Sequence, residues 1–318
     1  MFQQKLSPVQ EGRLTDWIRI QDALGVAPTH TQIRIFASRI LLAGGSATGV
    51  GKHWMQGFLR RNPRIATLPT RRIDAARVNG ATTEVIQGWF PLLDLPAIKK
   101  VMQADRWNMD ETGLMQGMGA NGLVLGMAEK RRTLKKDPGR REWTTIIECI
   151  SASGRHLHPL VIFKGKDVQQ QWFPDEGIEA FKDWKFESSP KGWTDDDIAV
   201  KWLMTIFIPQ TWVPSNRPRL LVVDGHGSHT TDDFMYGCFN ANIYLLFLPP
   251  HASHVLQPLD LSVFGPVKAH YRSALGNLIY QSEDCPMGKR GFLECYAKAR
   301  QAGLSEKNVL AGWKATGL

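Results

Sequence analysis

Three aspartates stand where a phosphodiester-hydrolysing site would need them. Asp110 closes the segment Arg106-Trp107-Asn108-Met109-Asp110, Asp224 follows the apolar run Leu220-Leu221-Val222-Val223, and Asp260 follows Gln257-Pro258-Leu259. Side chains at the carboxyl ends of strands face the crevice where α/β sheets bind ligands. Carboxylates are hard oxygen donors that suit Mg²⁺ or Mn²⁺. Two such ions about 3.5–4 Å apart can activate an attacking oxygen and stabilise a leaving one. Asp110, Asp224 and Asp260 are therefore the candidate catalytic and metal-ligating residues, for two ions. Glu111 adjoins Asp110, but strand neighbours face opposite sides, and Glu111 reads as structural.

Other polar clusters carry less. His226/His229 and His251/His254 form two H-x-x-H pairs, a spacing that zinc can use. The nearby aspartates favour harder ions, so His226, His229 and His254 read as support for the active-site loops or as contacts to DNA phosphate. Asp195-Asp196-Asp197 precedes a helical stretch, and negative charge favours a helix start.

Charge points to a polyanion. The first hundred residues hold 14 Lys/Arg against 6 Asp/Glu, and the remainder hold 25 against 24. A basic module joined to a near-neutral body suits gripping nucleic acid at one end and working at the other. Lys52, His53, Gln56, Arg60 and Arg61 share a segment with Trp54 and Phe58 and are left for its outer faces. Arg64, Arg71, Arg72 and Arg77 continue it as a basic arm containing one acid, Asp74. A second basic run, Lys130-Arg131-Arg132 with Lys135, Lys136, Arg140 and Arg141, has three readings: a DNA-gripping hairpin, a nuclear-import signal or a solvated face.

Positioning these residues requires two kinds of architecture. Residues 7–24 read as a helix with Ser7 as cap, Pro8 in the first turn and Gln10 at the capping-box position. Residues 30–43 and about 51–61 give two more helices around a Gly-rich turn, a helix-turn-helix arrangement. Beyond residue 105 the pattern becomes α/β. Strands are expected at 106–110, 122–128 and 144–151, then a helix near 196–208, a buried strand at 220–224, a helix near 231–241 and a strand at 243–248 stopped by Pro249-Pro250. That order is the order of a ribonuclease H-like fold: a mixed sheet flanked by helices, preceded by an all-α DNA-binding domain. The expected division is 1–77 helix-turn-helix with basic arm, 78–104 helical linker, 105–283 nuclease domain and 284–318 helical segment. Residues 1–77 are expected to bind duplex DNA alone.

Composition removes several classes. Hydrophobic residues make up 43% of the chain, enough for a sizeable core. The four cysteines form no C-x-x-C pair, so neither a disulfide framework nor a cysteine zinc site is indicated. No apolar run approaches the ~20 residues a bilayer span needs, and the N-terminus has no signal-peptide core. A soluble intracellular protein with no membrane partner is expected.

The motifs, taken in order, resemble one family. Trp107-Asn108-Met109-Asp110-Glu111-Thr112-Gly113, Leu220 through His229, and Pro249 through Asp260 resemble the three aspartate motifs of pogo-like transposases in the mariner superfamily, with 35 residues between Asp224 and Asp260. Gly51 through Pro63 resembles the helix-turn-helix shared with centromere protein B. Arg141-Glu142-Trp143, Phe163-Lys164-Gly165-Lys166, Gly192-Trp193-Thr194 and the terminal Trp313 through Leu318 extend the resemblance over almost the whole chain, in the manner of fungal elements. Family members usually carry another helix-turn-helix upstream and continue further, so the sequence reads either as a shortened copy or as a piece cut from a longer chain.

The resemblance implies a nuclear protein, working as a homodimer on double-stranded DNA. It would recognise terminal inverted repeats, hydrolyse the transposon ends with Mg²⁺ or Mn²⁺ and join the freed 3′-hydroxyl to target DNA at TA. The alternative is a domesticated or decayed DNA-binding descendant that no longer cuts. Loss of an aspartate would signal it, and all three are present. A ribonuclease H-like RNA nuclease would leave the helix-turn-helix unexplained.

Overall fold

Ser7 opens the first helix as its sequence predicts: its hydroxyl accepts from the Gln10 amide and the Gln10 side chain accepts from the Ser7 amide. Thr29 and Gln32 repeat this capping box at the second helix. The computed structural model describes residues 4–68, 82–116, 142–173, 178–225, 227–281 and 288–318. The expected strand at 122–128 and the basic residues Arg71, Arg72, Arg77, Lys130, Arg131 and Lys135 lie outside them, as do Arg132, Lys136, Arg140, Arg141 and His226.

In chain order the described helices and strands begin with α1 (Pro8–Ala23), α2 (His30–Ala43), α3 (Trp54–Arg61), α4 (Thr83–Trp89) and α5 (Pro96–Lys99). There follow β1 (Arg106–Met115), β2 (Trp143–Ser151), β3 (Leu160–Lys164) and β4 (Lys185–Ser189). Next come α6 (Asp196–Trp202), α7 (Ile208–Gln210), β5 (Arg219–Val223), α8 (Asp232–Asn240) and β6 (Ile243–Phe247). The chain closes with α9 (Ser253–Leu256), α10 (Pro258–Ser262), α11 (Phe264–Gln281), α12 (Lys289–Gly303) and α13 (Glu306–Thr316). Two compact units result, Met1–Trp107 with Thr211–Ser253, and Asn108–Gln210 with His254–Leu318.

In the first unit the N-terminal helices share a core with α8 and β6. Trp17 lies 5.5 Å from Phe36 and 5.6 Å from Phe239, and Phe36 stacks on Phe239 at 5.7 Å. Strands β5 and β6 pair in parallel, Arg219 opposite Ile243 through Val223 opposite Phe247. The Gln21 carboxamide caps the exposed edge of β6, accepting from the Leu245 amide at 3.0 Å and donating to its carbonyl at 3.4 Å, which removes an open strand edge. Arg13 donates to the Phe239 and Asn240 carbonyls at the end of α8, where a cation complements the helix dipole. Trp89, in the expected linker, donates to the Phe247 carbonyl at 2.8 Å. Trp17 and Phe36 thus pack on a residue of α8, Phe239.

In the second unit the strands lie in the order β4-β3-β2-β1. Strands β2 and β3 are antiparallel, Thr144 opposite Phe163 through Ile147 opposite Leu160, and β3 and β4 are parallel. Ile146, Ile150, Val161, Ile162 and Phe163 are wholly buried. Strands β3 and β4 are additions to the sequence reading. The first is a four-residue apolar run between Pro159 and Gly165, and the second has a single apolar residue, Phe186. Asp195 caps α6, accepting from the Ile198 amide at 2.9 Å, as its helix-start position implies. Glu148 on β2 and Arg300 on α12 form a buried pair, Nε–Oε1 2.7 Å and Nη2–Oε2 3.0 Å.

Candidate functional site

Asp110 and Asp260 belong to one unit, and a polar clamp holds their backbones. Asn108 is fully buried, two residues before Asp110 and so on the same strand face. Its Nδ2 donates to Gln257 Oε1 at 2.9 Å, and its Oδ1 accepts from the Leu259 amide at 3.2 Å. Gln257, also fully buried, returns a bond from Nε2 to the Met109 carbonyl at 3.3 Å. The residues before Asp110 are thus fastened to the residues before Asp260. Asp110 is half-buried and Asp260 exposed in the first turn of α10. Sequence reading missed Asn108 and Gln257. The available signal was an amide side chain on a strand otherwise fit for a core, because buried amides need partners.

The seat of α10 is tight. A Cβ on Gly312 of α13 would come within 2.4 Å of both the Pro258 carbonyl oxygen and Ser262 Oγ. Gly312→Ala is expected to push α10 away, at about 1–3 kcal/mol for overpacking, and to lower any activity of Asp260 beyond the loss of stability. Thermal unfolding beside single-turnover DNA cleavage well below the melting point checks this; unchanged values for both would mean that α10 yields freely.

Asp224 lies in the other unit, one residue past β5, its side chain 45% exposed. His229 Nδ1 stands 3.5 Å from Asp224 Oδ1, and His229 is itself buried against Phe234. His254 is exposed on α9. Among the described residues no group of three or more His, Cys, Asp or Glu is placed to hold a metal ion. The chemistry of the donors still fits a hard divalent cation: Asp110, Asp224 and Asp260 are all carboxylates, and each reaches solvent.

On α3 the faces separate as expected, with one exception. Trp54 and Phe58 are buried and stacked, 4.7 Å apart at 15°. Lys52, His53, Gln56, Arg60 and Arg64 are exposed. Arg61 departs from that set. Its guanidinium grips buried Glu11 of α1 through both Nε, at 3.0 Å, and Nη2, at 2.7 Å, and Asn62 joins at 3.3 Å. The hydrogen bonds to Glu11 raise the Arg61 pKa. Arg61 fastens α3 to α1 rather than standing ready for DNA. Arg61→Ala is expected to cost about 3 kcal/mol, because it strands a buried carboxylate. Arg60→Ala should leave the melting temperature within about a degree or two and flatten the salt dependence of DNA binding by about one unit. Similar melting temperatures for the two variants would refute this division.

A clamped strand and turn carry Asp110 and Asp260 in an α/β unit, and Asp224 follows a strand in the other unit beside a set of N-terminal helices. Residues 140–313 match the family model for DDE superfamily endonucleases, and residues 7–68 match that of the Tc5 transposase DNA-binding domain. The chain belongs to the DDE superfamily endonucleases. It is 28% identical to a Cochliobolus lunatus protein named MFS-type transporter clz9 over 315 residues, 99% of this chain and 30% of that protein. It is 27% identical to human pogo transposable element with KRAB domain over 222 residues, 66% of this chain and 35% of that protein. The chain thus spans about a third of the length of these relatives. A structure of the Mos1 mariner paired-end complex with Mn aligns at a TM-score of 0.46 and 13% identity, covering 99% of this chain and 77% of that one.

Proposed function

We propose that the chain cuts DNA at the ends of a transposable element and joins the freed 3′-hydroxyl to target DNA. The observation that carries this reading is the Asn108–Gln257–Leu259 clamp, which fastens the segments bearing Asp110 and Asp260. Asp110, Asp224 and Asp260 would hold two Mg²⁺ or Mn²⁺ ions, which supply Lewis-acid stabilisation of charge at phosphorus. Asn108 and Gln257 fix two of these carboxylates before substrate arrives, and His229 braces the third. In the first step a water oxygen bonds to phosphorus and the 3′ oxygen leaves with a proton. In the second that 3′ oxygen bonds to a target phosphorus, its proton passing to the target's own 3′ oxygen as that P–O bond breaks, so no covalent enzyme intermediate forms.

Recognition of the inverted repeats is assigned to residues 1–77. Lys52, His53, Gln56, Arg60 and Arg64 form the exposed face, and Arg71, Arg72, Arg77, Lys130, Arg131 and Arg132 are further candidate contacts. Residues 105–283 do the cutting. Insertion at TA, a homodimer on DNA and a nuclear location complete the reading. The test is incubation of the full chain with duplexes carrying the element's own ends, with Mg²⁺ or Mn²⁺. Breaks with 3′-hydroxyl ends are expected. Tight binding without breaks in either ion would overturn the reading and leave a DNA-binding descendant.

A further inference from the structure

Three of the motifs that the cutting site does not use meet around one groove in the second unit. Glu142 comes from the first motif, Gly165 and Lys166 from the second, and Gly192-Trp193 packs behind them. The Gly165 and Gly192 amides both donate to the Ser189 carbonyl, at 3.0 and 3.1 Å. Thr145 Oγ1 donates to the Gly192 carbonyl at 2.7 Å, and Ser189 Oγ to the Trp193 carbonyl at 2.8 Å. The groove has a volume of about 690 Å³.

Its cations arrive from two elements. Lys166 stands on the turn after β3, and Lys289 and Arg290 on the first turn of α12. Lys289 is fixed: its Nζ donates to the Lys164 carbonyl at 2.9 Å and sits 3.4 Å from the centre of the Trp172 ring. Gly165 lies beside both: a Cβ there would meet the Trp172 ring at 3.4 Å and Lys289 Nζ at 3.8 Å, ordinary contact distances. Partial burial lowers the Lys289 pKa, and an approaching anion would restore the solvation the ammonium has given up. Two cations in the first turn of α12 oppose the helix dipole. That placement costs stability in the free protein and favours an anionic ligand. Glu142 and Asp167 also line the groove, and Arg290 reaches Glu294 at 3.5 Å. All three acids are solvent-facing, which screens their repulsion. Carboxamides from Gln116, Gln169 and Gln171 lie among the cations, an alternation that suits an extended sugar–phosphate chain better than one compact anion.

We propose that this groove is a second DNA-binding site, holding duplex backbone phosphates on Lys166, Lys289 and Arg290 independently of the α3 face. It rests on the reading that the chain's ligand is DNA.

The experiment measures binding of the full chain to a random-sequence duplex across a salt series. Lys166 and Arg290 are exposed, so K166A/R290A should melt as the parent does. Each lost phosphate contact removes about 0.9 from the slope of log K against log salt, so the double variant should be shallower by about two and bind about 60-fold more weakly at 0.1 M salt. The comparison is K307A/K314A, two exposed lysines on α13, which should keep the parent slope. An unchanged slope in K166A/R290A, or an equal drop in K307A/K314A, would overturn the site. Cleavage assays of Asp224→Asn separate the two readings. If that variant still cuts while K166A/R290A flattens the slope, the cutting assignment fails and the groove stands. If it stops cutting while K166A/R290A binds as the parent, the groove alone fails.

Discussion

Asp224→Asn is expected to lose strand cleavage by about 1,000-fold or more while binding duplex DNA like the parent. The substitution is chosen for what it leaves alone. Asp224 follows a strand whose five residues are all buried, but its own side chain is 45% exposed, so the core does not feel the change. Asn keeps the shape and one oxygen and loses the charge that would hold a divalent cation. Metal assistance at phosphorus contributes several kcal/mol, and about 4 kcal/mol is about a thousandfold in rate. Single-turnover cleavage with Mg²⁺ and with Mn²⁺, beside a binding isotherm, measures both quantities. Asp110→Asn and Asp260→Asn should match it. Residues that act as a unit are not additive, so pairing any two should cost little more than one. Cleavage by Asp224→Asn within about tenfold of the parent would remove Asp224 from the mechanism, and strongly additive double variants would mean that the three carboxylates do not share one task.

What could be read from the sequence was what local chemistry writes there. The capping boxes at Ser7 and Thr29 and the apolar run before Asp224 each lie within a few residues, and the corresponding elements begin or end within a residue or two of expectation. The strand bearing Asp110 was anticipated, though it runs on to Met115. The pairs that fasten these elements join residues far apart in the chain and leave no periodic trace. Asn108 and Gln257 are 149 residues apart, Arg61 and Glu11 are 50 apart, and Arg300 and Glu148 are 152 apart. Arg61 illustrates the cost. Its type and its place beside Arg60 suggest phosphate, and only the buried acid on α1 reveals its use. Of the three aspartates only Asp224 stands at a strand end; Asp110 lies in the middle of β1 and Asp260 in the first turn of α10, and the pairing of the amides that fasten those two segments had no local signal.

Arg300→Met is expected to be the most destabilising single change outside the site, by about 3–5 kcal/mol, because it strands Glu148 in the core. Glu148 and Arg300 are 2% and 8% exposed, and Tyr296, wholly buried, donates its hydroxyl to the same carboxylate. Arg300 also donates to the Leu157 carbonyl. Replacing every partner with an apolar group of similar size should restore most of the loss. The triple variant Glu148→Leu/Tyr296→Phe/Arg300→Met should fall only about 1–3 kcal/mol below the parent, the cost of leaving the Leu157 carbonyl without its donor. Denaturant unfolding of the two variants separates an uncompensated charge from a simple loss of packing, since packing loss alone would make the triple variant worse than the single. His156 supplies a second readout. Burial first, and the Arg300 charge second, lower its pKa below 6.5. A histidine held below its unfolded value contributes stability above about pH 6.5 that is lost as pH falls toward the folded value. Removing Arg300 takes away the second-largest lowering cause, so His156 should titrate higher in Arg300→Met than in the parent, followed by its ring proton resonances. A His156 titration that does not move, in a variant still folded, would mean that the guanidinium is not where the pair requires it.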